Sequence, residues 1–437
     1  VAFASRALAE NFVLGWRRQD LAHWSNSGFL FITFPDLEKE ESMVTTEAVK
    51  QSFYDQVLES APSGDRLKLC LQCGDCSGIC PFGYLMIHPP SRLIAQLRAD
   101  RFDKVLETDT VWMCVSCYAC TAVCPAQIPL TPGLMARTKE ELILTGNVPA
   151  ELQSALENSQ RYGNPLGESP RKRADWTAGL QVNVMGKLRQ PVDVLWFVGD
   201  YPSYHPRVQA TAKALTKVLG ALGINFGILG PEESSDGDSQ RMAGERGLFE
   251  MLAERNGMAF SKYEFKEIIT TDPHAYNAIK NEYPRLEISY PVRHYTEFLA
   301  AHLDQLKPML KQPVKARVTF HDPCYLGRAN GIFDEPRRLL EAIPGVELVE
   351  MSHNHKNSLC CGGGGGGMWL DGFQWEKAHV RLSEWRVKEA LTAGAEILAV
   401  ACPYESPRFE DAAKTVPGAD KLKVRDISEL LVESMGN

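Results

Sequence analysis

"CLQCGDCSGICP", Cys70 to Pro81, and "CVSCYACTAVCP", Cys114 to Pro125, decide how this chain is read. Both have the spacing C-x2-C-x2-C-x3-C-P. Thiolates this close let one tight turn wrap a cubane of iron and sulfide. Zinc sites also use C-x2-C pairs. Two complete copies, each with proline after the fourth cysteine, favour iron–sulfur ligation.

The spacing is that of two-cluster bacterial ferredoxins, in which the fourth cysteine of each run serves the other cluster. One [4Fe-4S] set is therefore expected from Cys70, Cys73, Cys76 and Cys124. The second is expected from Cys114, Cys117, Cys120 and Cys80. Between the motifs, Leu93, Ile94, Leu97, Val105 and Leu106 fall at helical spacing. The insert predicts a helical module rather than the small βαβ ferredoxin.

All twelve cysteines lie in clusters, which suits metal ligation and a reducing compartment better than a disulfide scaffold. The net charge of −8 argues against nucleic acid as a partner. "GFLFITF", Gly28 to Phe34, is too short to span a bilayer. No basic segment leads into an apolar one, so no signal peptide is expected. The chain begins at Val1, and Met43 follows the acidic run "DLEKEES".

Beyond residue 170 the pattern turns to α/β. "DVLWFVG", "INFGILG" and "EIITT" read as strands separated by helices, and the order recurs with "ARVTFHD", "VELVEM" and "EILAVA". Alternation of this kind implies parallel sheets with right-handed crossovers. The recurrence implies two similar α/β units. "EKAHVRLSEWRVKEALTAG" reads as one helix. The predicted organisation is an amino-terminal arm (1–55), a helical two-cluster domain (56–165), a linker (166–190), a first repeat (191–310) and a second (311–437).

Ligands gather at the carboxyl ends of strands in such sheets. There the second repeat places Cys324, the pair Cys360–Cys361, and Cys402. The first repeat carries Asp200, Ser235 to Gly237, and Asp272, with "TDPHA" matching "ACPYE". It lacks every cysteine and is expected to bind no cluster.

"HDPCYLGR", "LCCGGGGG" and "ACPYE", following two ferredoxin-type motifs, resemble the heterodisulfide reductase catalytic subunit. They are equally similar to the iron–sulfur subunit of the sulfite-reductase-associated membrane complex. The resemblance covers residues 60–437 and assigns each repeat to the cysteine-rich CCG type. It implies an α+β multidomain chain: a helical two-[4Fe-4S] ferredoxin-type domain, then two pseudo-repeated CCG domains. It also implies a third, noncubane iron–sulfur cluster on Cys324, Cys360, Cys361 and Cys402, where a disulfide is reduced. Glu405 stands where the family has its last cysteine, so the third cluster is expected to have a labile iron or a nearby proton donor. Gly362 and Gly363 are expected to aim N–H groups at sulfur.

The partners implied are a membrane cytochrome b-like or quinone-linked subunit and a small disulfide or thiol-carrier protein. The location implied is cytoplasmic, at the inner face of the cell membrane. Two other readings use the same modules. One is the iron–sulfur subunit of a flavin-dependent glycolate, lactate or glycerol-3-phosphate dehydrogenase. The other is an electron-transfer adaptor without chemistry of its own. Secondary candidates are His321, Asp322, His353 and His355, with Tyr325 and Trp369 as cavity walls. Trp16, Arg17, Arg18 and Trp24 are candidates for docking at a membrane subunit.

Overall fold

The computed structural model describes residues 52–436 apart from 61, 62 and 189. The arm, with Trp16, Arg17, Arg18 and Trp24, lies outside the described residues.

The eight-cysteine region is built from short helices. Pro90–Arg98 opens on a proline, whose missing N–H costs nothing at a helix start. Its apolar face, Leu93, Ile94 and Leu97, is fully buried with Val105 and Trp112. In each motif the residues flanking the middle cysteine adopt positive φ: Gln72 (56°) and Gly74 (90°), then Ser116 (50°) and Tyr118 (62°). Two left-handed residues coil the loop so that successive cysteines face inward. Short helices, Asp75–Gly78 and Ala119–Val123, carry the third cysteine of each run. A left-handed tyrosine is strained where the first motif uses glycine.

Two parallel sheets follow. The first contains β1 (Asn183–Val184), β2 (Val194–Phe197), β3 (Phe226–Ile228), β4 (Glu267–Thr270) and β5 (Val292–His294), in the order β1-β3-β2-β4-β5. The second contains β6 (Ala316–Phe320), β7 (Val346–Leu348), β8 (Ile397–Val400) and β9 (Lys423–Asp426), in the order β7-β6-β8-β9. Apart from β1, the two orders are the same, so the repeat read in the sequence is a repeat of topology. One apolar core runs across both sheets, from Trp196 and Leu215 to Val318, Leu340 and Leu430.

Some elements differ from the sequence reading. The edge strand β1 lies within the stretch read as a linker. Strands β5 and β9 escape that reading, because "VRH" and "KVRD" are short, charged edge segments. The single helix expected over "EKAHVRLSEWRVKEALTAG" is broken. Asp371–Ala378 ends at His379, which turns left-handed (φ 51°), and Leu382–Thr392 starts afresh.

From β2 in the first sheet and from β6 in the second, the chain steps to one side and then to the other. The loops leaving β2 and β4, and those leaving β6 and β8, therefore diverge around a crevice at the strands' carboxyl ends. All four cysteines of the second repeat stand at this end of its sheet.

Candidate metal centre

Cys70, Cys73, Cys76 and Cys124 line one cavity, walled by Ile94, Ile128 and Leu130. Cys80, Cys114, Cys117 and Cys120 line a second, walled by Met86, Met113 and Met135. Each cavity thus takes three cysteines from one motif and the fourth from the other. Four thiols converging among apolar walls fit a [4Fe-4S] cluster. The surroundings of the two cavities differ. Cys73 is exposed, and Leu71, which lines the first cavity, is 78% exposed. Cys117 and Cys120 are buried.

In the second repeat Cys324, Cys360, Cys361 and Cys402 are all buried. Cys360 packs in one buried cluster with Cys324, Cys361 and, across the domain boundary, Cys117. Cys402 lies close enough for the charges of Glu405 and Cys361 to act on it. The backbone N–H of Gly362 donates to Cys360 Sγ at 3.2 Å, and that of Gly363 to Cys361 Sγ at 3.4 Å. Each N–H stabilises negative charge on its sulfur.

The later glycines serve a different purpose. A Cβ on Gly364 would lie 2.8 Å from the Val115 carbonyl oxygen, and one on Gly365 would run into Ser116. The glycine loop is thus pressed against the second cysteine motif. Buried Lys139 pins the contact, donating to the carbonyls of Cys114 (2.8 Å) and Gly365 (2.9 Å). Arg328 Nε donates to the Cys117 carbonyl at 2.7 Å.

Glu405 begins the helix Glu405–Thr415, and it also enters the site. Single ligand atoms of His321, Cys361 and Glu405 lie within 4.8 Å of one another, all three residues buried. Glu405 Oε1 is 3.3 Å from His321 Nε2, whereas its buried Oε2 has no hydrogen-bond partner. Arg386 Nε donates to His321 Nδ1 at 3.1 Å, so Nε2 carries the imidazole proton toward Glu405. Burial pushes the Glu405 carboxyl up to about 7 despite the neighbouring histidine. An orphaned oxygen beside four thiols suits either a metal or a proton.

The other candidates sit apart. Asp322 is clamped by Arg337 at 2.7 and 3.0 Å. Exposed His353 pairs with Glu389, and His355 turns to Asn354. Trp369 is partly buried among the apolar side chains of the helical domain. Tyr325 is fully buried between Tyr118 and His274.

The first repeat places oxygen where the second places sulfur. Asp200 matches Cys324, Ser235 and Asp236 match the cysteine pair, and Asp272 matches Cys402. The following glycines keep the same backbone, φ 82° at Gly237 and 86° at Gly362. Arg173 is buried between Asp200 (2.7 Å) and Glu233 (3.1 Å). Burial and mutual repulsion push the Asp236 carboxyl well up, and that of Asp272 to about 6. Sequence reasoning missed His274, which bonds Asp238 at 3.1 Å. The register of "TDPHA" on "ACPYE" was the signal available, since it sets His274 opposite Tyr404.

Comparison with known proteins agrees with this anatomy. The 4Fe-4S dicluster domain family matches residues 65–128, and the cysteine-rich domain family matches 194–280 and again 318–404. A subunit of the dihydromethanophenazine:CoB–CoM heterodisulfide reductase from Methanosarcina barkeri is 32% identical, over 85% of this chain and 94% of that protein. The probable iron-sulfur-binding oxidoreductase FadF of Bacillus subtilis is 30% identical, over 91% of this chain and 64% of its own length. The EtfAB:quinone oxidoreductase of Syntrophomonas wolfei is 32% identical, over 76% of this chain and 47% of its own length. The chain therefore spans about half to two thirds of these last two relatives.

Proposed function

The chain belongs to the iron–sulfur oxidoreductase family that includes the Methanosarcina heterodisulfide reductase subunit, and on that footing we propose that it reduces a disulfide at the cysteine site of its second repeat. The observation that carries the reading is that Cys117 packs with Cys324, Cys360 and Cys361 in one buried cluster. It sets the second four-cysteine cavity directly against the proposed reaction site.

Cys70, Cys73, Cys76 and Cys124 would hold one [4Fe-4S] cluster, and Cys80, Cys114, Cys117 and Cys120 another. Cys324, Cys360, Cys361 and Cys402, with Glu405 beside them, would hold a third, noncubane cluster. When bound, such clusters accept and pass single electrons. The residues around them supply the rest. The Gly362 and Gly363 amides stabilise sulfur charge. The Glu405 carboxyl, pushed up to about 7 by burial, can exchange a proton near neutral pH, and burial of all four cysteines keeps water out. The net reaction is R–S–S–R′ plus two electrons and two protons, giving two thiols.

Electrons enter at the first cavity, where Cys73 and the apolar side chain of Leu71 are exposed. Among the described residues no helix is long and apolar enough to cross a membrane. In this reading the electron source is a quinone-linked or cytochrome b-like partner subunit at the inner face of the membrane, in keeping with the similarity to a quinone oxidoreductase and to a probable membrane-anchored ferredoxin. The disulfide belongs to a small thiol or a thiol-carrier protein.

A second reading is electron transfer between EtfAB and quinone without disulfide chemistry, which the Syntrophomonas relative favours. Anaerobically reconstituted protein, reduced with methyl viologen, separates the two. Thiol release from 2-hydroxyethyl disulfide above the viologen-only rate is expected. Its absence, with oxidation of a quinone-linked partner intact, would favour the second reading.

A further inference from the structure

The first repeat contributes more than shape. Its buried Asp238 accepts from Arg241 Nη2 at 2.8 Å through one oxygen and faces His274 Nδ1 at 3.1 Å through the other. Asp238 and His274 are 0% and 4% exposed. The imidazole lies over Tyr325, the residue after Cys324, with ring centroids 3.8 Å apart, and 5.2 Å from the ring of Tyr404. A Cβ on Gly364, three residues beyond Cys361, would lie 3.3 Å from His274 Cε1. Arg241, Asp238 and His274 thus form a line that starts in the cysteine-free repeat and ends against Tyr325 and Gly364, chain neighbours of Cys324 and Cys361 in the other.

We propose that His274 is a built-in proton donor to that sulfur site, held by Asp238 and Arg241. The proposal deepens the disulfide-reductase reading and rests on it. With Nδ1 committed to Asp238, Nε2 is the free nitrogen of the ring. Clusters held by the cysteines would, when bound and reduced, supply the two electrons that cleave the S–S bond of R–S–S–R′. The Nε2 proton goes to the departing R–S⁻, giving R–SH. The imidazole is left neutral, with Nδ1–H still donating to Asp238. The second sulfur leaves with a proton from solvent, and His274 regains its proton from solvent.

The charge balance favours a protonated ring. Burial opposes it, but Asp238 and Asp272 hold the imidazole proton on up to about 9. The groups facing the ring are Asp238, Asp272 and Arg241 from its own repeat, and Cys324, Tyr325 and Tyr404 from the other. The donor is therefore present below about pH 9 and lost above it.

His274→Asn tests this, because the asparagine amide can still donate to Asp238 but cannot supply a proton. The first readout needs no turnover. Binding of 2-mercaptoethanol to the oxidised, cluster-loaded chain is followed by visible absorption across pH 6 to 10. Wild type should bind well at pH 7 and lose affinity above about pH 9. The variant should bind about tenfold more weakly at pH 7, without that loss, as expected for one charge-assisted hydrogen bond. The second readout is viologen-driven reduction of 2-hydroxyethyl disulfide, which should fall about a hundredfold at pH 7, the scale of one general acid. Equal affinity and rate in both proteins, with equal iron content, would overturn the proposal.

Should His274→Asn lose iron, Asp238→Asn decides. It should move the alkaline break down toward the range of free imidazole, and an unmoved break would overturn the proposal. A wild type that binds the thiol with the expected pH profile but reduces no disulfide would sink the reductase reading and leave the histidine assignment standing.

Discussion

The two α/β repeats share a strand order and a glycine turn, yet one ends in thiols and the other in carboxylates. The thiols of the second repeat lie together with one unpaired carboxylate oxygen among them. The carboxylates of the first find protein partners instead. Arg173 bridges Asp200 and Glu233, Arg241 and His274 pair with Asp238, and burial beside other carboxylates pushes Asp236 toward its protonated form. A scaffold built around a charged site can thus lose its metal ligands when buried charges are balanced from within. The first repeat then serves as a wall that faces the second repeat's site with His274.

Substitutions in either repeat put that contrast at risk. The largest effect is expected from Arg173→Met, which leaves Asp200 and Glu233 buried without their cation. Removing one member of a buried ion pair costs about 3–5 kcal/mol. Thermal unfolding should show it, and a loss below about 1 kcal/mol would mean that the first repeat is not held by internal charge balance.

Gly365→Ala comes next. Its Cβ would meet Ser116, and the residue sits at φ 59°. Overpacking and a left-handed alanine together cost about 2–4 kcal/mol. Besides unfolding earlier, the variant should disturb the EPR signal of the second repeat's cluster, because the loop must retreat from the second motif. Gly418→Ala has a similar φ of 81° but open space around it, so it should cost only about 1 kcal/mol and leave the spectrum unchanged.

The smallest effect is a pH dependence. Asp272 titrates near 6 in the folded chain, above the usual carboxylate range. A group raised in this way stabilises the fold at low pH and loses that contribution as pH rises through the folded value. The unfolding midpoint should therefore carry a component that falls between about pH 4 and 6. Asp272→Asn should flatten it. A wild-type midpoint that instead rose relative to the variant's between about pH 4 and 6 would refute the assignment.

Much of the fold was legible because its signals are local. Cysteine spacing, strand–helix alternation and the buried run Leu93, Ile94, Leu97 all show in short windows. Strands β1, β5 and β9 were not legible, since edge segments of two to four residues with charged members carry no alternation. The break at His379 was hidden because its left-handed turn follows no glycine or proline signal. Of the six glycines, only the hydrogen bonds of the first two to sulfur could be anticipated. The close approach of Gly364 and Gly365 to Val115 and Ser116 joins residues 249 positions apart and exists only in the fold. His274 leaves no periodic trace, and only the register of "TDPHA" on "ACPYE" pointed to it; its packing on Tyr325 of the other repeat exists only in the fold.

Whether sulfur in the second repeat, and not oxygen in the first, holds a third cluster is a question of iron. Iron and sulfide content, with EPR, should be measured on anaerobically reconstituted protein for the wild type and for the Cys360→Ser/Cys361→Ser double variant. The expected result is roughly twelve irons for the wild type and roughly eight for the variant, with both [4Fe-4S] signals retained. Equal iron content in the two proteins, or zinc in place of iron, would contradict it.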